Sequence, residues 1–104
     1  MKLITAALEK RFEQIGSQSQ NPNPIVVAKL YNSASRQVWY VTEYDKNMGI
    51  GLAYVTGTDW DGWGMFALET LEKIQHPFGF GIKRDIHFKE TYLQELIKEQ
   101  ERER

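Results

Sequence analysis

The chain has no cysteine, which removes disulfide frameworks, thiolate metal sites and cysteine nucleophiles together. It carries no excess of one charge: 13 basic residues against 14 acidic ones leave a net charge of −1. Such a balance supplies neither the positive field that a phosphate backbone needs nor the negative field of a DNA mimic, so nucleic acid is not an expected partner. No apolar run approaches the roughly 18 residues of a membrane span. Charges spaced through MKLITAALEKRFEQI deny it the apolar core of a signal peptide. A cytoplasmic setting without membrane attachment is the expectation. Only 3 prolines are present, and two of them fall in the Asn-Pro steps of GSQSQNPNP, residues 16–24, which reads as an exposed loop.

What is present suits one domain. The chain has 104 residues, 41% of them apolar, with 8 glycines. A chain of this size buries roughly 60–65% of the surface its unfolded form exposes, enough for a core without metal or disulfide. Between Ile25 and Gly57 three runs rich in Val, Ile, Tyr and Trp alternate with turn residues, the pattern of an antiparallel meander. A fourth strand is expected over Ile82–Phe88. Ile4, Leu8, Phe12 and Ile15 give an N-terminal helix near residues 5–15, with Thr5 as its cap and Gly16 as its stop. A short middle helix is expected near 68–75. A C-terminal helix follows near 92–101, opened by a Thr91/Gln94 capping box, with residues 99–104 fraying. The expected fold is therefore α+β: an antiparallel sheet of three to four strands, covered by helices on one side.

Two groups of residues carry chemistry. The loop GTDWDGWG, residues 57–64, holds Asp59, Trp60, Asp61 and Trp63. Its aspartates are oxygen donors of the kind that bind cations, but it lacks both the register of a calcium loop and the cradle of a phosphate loop. It reads as a tight turn with its tryptophans folded back onto the domain. Were either tryptophan exposed, the loop would be a binding surface, because aromatics anchor interfaces.

The second group is polar. Asp85 and His87 sit two apart on the expected fourth strand, and Glu43 and Asp45 show the same spacing at the end of the second. Carboxylate beside imidazole is the raw material of acid–base catalysis or a metal site, provided the pairs converge. An Asp–His hydrogen bond or an Arg84–Glu43 ion pair is the commoner fate of such residues. No metal or cofactor is assigned. Aromatics alternate with polar residues along QVWYVTEY, but the glycine-aromatic signature of an RNA-binding sheet is missing.

Four motifs in order carry a family resemblance: Asn23–Val26, Trp39–Asp45, Gly64–Glu72 and Gly81–Phe88. They are similar to the D/N-P-I-V, W-Y-V-T-E-F/Y-D, G-Y/M-F-x-L-x-x-L-E and G-I-x-R-D-x-H-F segments of the bacterial domain of unknown function 2958. The resemblance runs from about Leu3 to Phe88. It departs where that family's Ser-Leu-Ser-Glu-Leu becomes Ala67–Leu71 here, without the serine cap. The resemblance implies a small cytoplasmic protein of plasmids, phages and other mobile elements, with no activity to transfer. It also marks Glu43, Asp45, Arg84, Asp85 and His87 as the positions matching its polar motifs.

The leading expectation is a non-enzymatic accessory or anti-defence protein that binds a protein partner through an aromatic and acidic surface. The alternative is a small hydrolase or metal-dependent enzyme, which requires Asp85, His87 and Glu43 to meet in a pocket. A homodimer through an uncovered sheet face or edge is a further expected assembly.

Overall fold

The computed structural model describes residues 2–103. Helix α1 spans Ala6–Ile15; the Thr5 hydroxyl accepts the Leu8 N–H at 3.2 Å, and Gly16, at φ +69°, closes the helix on the Phe12 carbonyl. Ahead of it, Leu3 and Ile4 are fully buried. Their segment is tied down by Arg84, whose Nη1 donates to the carbonyls of Lys2 and Leu3 at 2.6 and 3.1 Å. The Glu72 carboxylate accepts the Leu3 N–H at 3.0 Å.

Seven strands follow: β1 (Ile25–Val26), β2 (Ala28–Asn32), β3 (Val38–Asp45), β4 (Ile50–Thr56), β5 (Gly62–Ala67), β6 (Ile82–Arg84) and β7 (Thr91–Tyr92). Five of them form one antiparallel sheet in the order β5-β4-β3-β2-β6, and β1 pairs with β7 as a separate two-stranded sheet. The expected sheet of three to four strands is thus too small. Its missing strand is β5, whose glycines and tryptophans read as loop. In place, Trp63 pairs with Tyr54 across the ladder and stacks edge-on at 5.6 Å, and Phe66 lies over Gly51. The first run of Val and Ile also divides: β1 leaves the main sheet at Val27 to meet β7.

Both faces of the sheet are covered. Helix α1 and helix α2 (Leu68–Lys73) enclose a core with Leu30, Trp39, Val41, Ala53 and Phe66. Helix α3 (Leu93–Arg102) packs Leu93, Leu96 and Ile97 on the opposite face, against Val26, Val38, Tyr40 and Tyr54. Coverage on one side only is therefore corrected. Tyr40 and Tyr54 share a face by strand alternation, and burying them calls for a helix of their own.

A bulge reorganises the end of β3. Register shifts between Val41 and Glu43, so Thr42 is the extra residue. Every later side chain changes face, and Tyr44, which unbroken alternation would put on the face of Tyr40, instead meets Phe12 at 6.0 Å under α1. Gln18 secures the bulge: its Nε2 donates to the carbonyls of Thr42 and Ile25 at 2.9 and 2.8 Å, and its Oε1 accepts the Ile25 N–H at 2.8 Å. The loop expected to be exposed therefore contains a buried glutamine.

Two boundaries also move. The fourth expected strand stops at Arg84, because the Asp85 carboxylate accepts the His87 N–H at 3.0 Å and turns the chain. The Thr91/Gln94 capping box does not form. Thr91 is held in β7, and Asn23 Oδ1 accepts the Gln94 N–H at 3.0 Å in its place. Helix α3 runs on through Arg102, into the segment expected to fray, and Arg104 lies outside the described residues. Among the described residues no helix is long and apolar enough to cross a membrane.

Candidate functional site

The polar residues are distributed rather than gathered. Glu43 and Asp45 lie at the end of β3, beside a concavity of about 430 Å³ whose walls include Glu13, Tyr44 and Met65. Glu43 accepts the Gln18 N–H at 3.2 Å, and Asp45 accepts the Asn47 N–H at 2.9 Å within its hairpin turn. Arg84 and Asp85 face a different hollow, next to Thr5 and Phe88. Asp85 reaches Lys29 Nζ only at 3.8 Å. It bonds the His87 amide, not its imidazole, and that side chain is exposed. Strand β2 stands between β6 and β3, a lateral separation of roughly 10 Å. Among the described residues no group of three His, Asp or Glu is placed to hold a metal ion.

Two described groups of this concavity have a displaced proton affinity: Lys46, raised by its bond to Glu13, and Tyr44. Burial pushes its phenol up, and the charges of Glu9, Glu72 and Asp45 act in the same direction. A phenol held protonated there serves as a hydrogen-bond donor, not as a base.

The tryptophan loop behaves differently from the tight inward turn its composition suggests. Asp61 Oδ1 accepts both the Thr58 N–H and the Thr58 hydroxyl, at 3.0 and 3.2 Å, and that hydroxyl accepts the Trp60 N–H at 3.2 Å. These bonds close the loop beneath Trp60 and turn its indole outward, where it is 91% exposed. Asp59 is exposed beside it. Trp63 is half exposed, and Met65 and Met48 project freely.

These residues surround β5, an outermost strand of the sheet. Leu68 N–H bonds the Gly49 carbonyl at 2.8 Å in the register that continues along β4–β5. Antiparallel alternation then directs the N–H and C=O groups of Gly62, Gly64 and Phe66 to β4 and those of Trp63, Met65 and Ala67 to the open edge. The strand reads GWGMFA. It contains no charge, no proline and no bulge, the devices that normally blunt an exposed edge. The sequence offered signals for this strand in Met65 and Phe66, but glycines at 62 and 64 masked the pairing. A second apolar outcrop lies in the turn Pro77–Gly79, where Phe78 is 97% exposed with φ +62°.

Fold and site together define a small α+β protein with an open, uncharged sheet edge flanked by exposed aromatic and thioether side chains. A family model described as a protein of unknown function, DUF2958, matches residues 2–101, and the chain belongs to that family. The match extends past the Leu3–Phe88 span carried by the four motifs. No curated protein and no solved structure matches the chain.

Proposed function

We propose that this protein is a protein-binding module that captures an extended segment of a partner by strand addition at β5. The observation that carries this reading is the open edge of β5, uncharged and continuous over six residues. An added strand satisfies the outward groups of Trp63, Met65 and Ala67, and its alternate side chains lie against Trp63 and Met65. Trp60 supplies a detached aromatic anchor at one end. The acidic rim of Asp59 and Asp61 gives that end a preference for basic partners. An accessory role within a mobile element is the biological setting consistent with the family resemblance.

The test compares partner capture by the wild-type protein with that by Met65→Lys, Trp60→Ala and Asp85→Ala. Met65→Lys places a charge on the edge, Trp60→Ala removes the anchor, and Asp85→Ala leaves the edge untouched. The reading requires capture to fall at least tenfold with the first two and to persist with the third. Loss with Asp85→Ala alone would move the site to the opposite edge of the sheet.

A further inference from the structure

The chemistry of β5 also says what the added strand is. We infer that the edge pairs with the β5 edge of a second copy of this chain, antiparallel about a two-fold axis at Gly64; this rests on the strand-addition reading and names its partner. An isologous contact needs a surface complementary to itself. GWGMFA meets that condition because no like charges face one another when it is laid antiparallel on its own copy.

Of the registers that bring outward-bonding residues into hydrogen-bonded pairs, the two that overlap most of β5 are centred on Met65 and on Gly64. Centring on Met65 sets two thioethers against each other and Trp63 against Ala67. Centring on Gly64 sets Trp63 against Met65 of the other copy, twice, on one face. Sulfur beside an aromatic ring is favourable by roughly 0.3–1.5 kcal/mol, so the Gly64 register is preferred. It places Gly64 opposite its own copy in a close, non-hydrogen-bonded pair, where the missing side chains let the strands approach.

Size points the same way. A standard interface takes roughly 800 Å² from each partner, more than a six-residue strand pair supplies alone. Antiparallel pairing carries the 91% exposed Trp60 at one end of β5 towards the Met48 end of the other copy, where Met48 is 69% exposed. The flanks that enlarge the contact are therefore the side chains the monomer leaves in water.

The chain has no cysteine of its own, and a Cβ at Gly64 would meet only Val55 Cγ2, at an ordinary 3.9 Å. Gly64→Cys is thus tolerated, and the register sets the two thiols opposite each other. Ala67→Cys is the control, since six residues of strand, roughly 20 Å, then separate the thiols. Under mild oxidation Gly64→Cys should give a covalent dimer and Ala67→Cys none. Sedimentation equilibrium of the wild type should rise from 12.1 kDa towards twice that value with concentration, and Met65→Lys should stay monomeric. A wild type that remains at 12.1 kDa up to ~1 mM, or equal crosslinking by both cysteine variants, overturns the inference. Amide exchange separates the two readings. A monomer whose Trp63 and Met65 amides exchange freely removes the second copy but leaves strand addition by another chain, whereas a monomer that protects them removes both.

Discussion

Gln18 shows how much one side chain can hold that its surroundings do not announce. Its amide closes three backbone groups at the β3 bulge and the start of β1. Gln18→Ala leaves them unsatisfied in a buried place, and the expected loss is about 2 kcal/mol of unfolding free energy by urea titration. Gln20→Ala, one turn of the same polar run away and exposed, should change stability by less than ~0.5 kcal/mol. Nothing in SQSQ distinguishes the two glutamines, because the difference lies in a bulge contributed by another strand. Gly57 is the opposite case, a glycine whose need is geometric. It sits at φ +79°, and a Cβ there would overlap the Arg36 carbonyl oxygen. The β2–β3 turn would have to move, so Gly57→Ala should cost several times the ~1 kcal/mol of an ordinary substitution. Thermal unfolding checks this. Trp60 was legible as a residue of interest, while its exposure was not, since the Thr58–Asp61 bonds that turn it outward depend on loop geometry.

Among the elements, the helices were the most legible. Their apolar spacing placed α1 and α3 within a residue or two, and the missing serine cap of α2 is real: Ala67 makes no side-chain cap bond, and Leu68 N–H goes to Gly49 instead. Strand β5 was hidden because Gly62 and Gly64 read as turn residues, although the glycine that close packing across the ladder requires lies on the facing strand β4. At Gly51 the Phe66 ring occupies the space of a Cβ. Gly51→Ala therefore displaces a buried aromatic and should destabilise by about 1–3 kcal/mol. Gly51→Ala combined with Phe66→Leu should recover part of that loss, and chemical denaturation of the two variants tests the coupling. The polar quintet was legible as motif but not as place. Glu43 and Asp45 end one strand, while Arg84 ends another with Asp85 and His87 in the turn beyond it, and only pairing order reveals that β2 divides the strands.

At the scale of the molecule, the two-sided sheet is closed by α3 through one polar clasp as well as by its apolar seam. Gln100 Nε2 donates to the Tyr40 hydroxyl at 3.1 Å and to Thr56 Oγ1 at 3.2 Å. Burial pushes the Tyr40 phenol above its ordinary value; the Gln100 bond opposes this, and the charges of Glu99 and Glu103 add to it. Because the folded value lies above the unfolded one near 10, the unfolded chain loses its proton first as pH rises. Tyr40 thus stabilises the fold fully below pH ~10, and that contribution disappears as pH climbs through the folded value, with a slope of at most ~1.4 kcal/mol per pH unit. Tyr40→Phe should reduce this alkaline slope, read from urea midpoints between pH 8 and 11.

The covered faces leave the sheet its two edges, of which β5 is the longer and the one without charge, and amide hydrogen exchange on dilute protein tests directly whether it is open. The structure predicts alternation along β5: Gly62, Gly64 and Phe66 protected by their bonds to β4, Trp63, Met65 and Ala67 exchanging near the rate of an unstructured chain. Uniform protection of all six amides under monomeric conditions would mean that the edge is already closed within the chain, and would contradict the account.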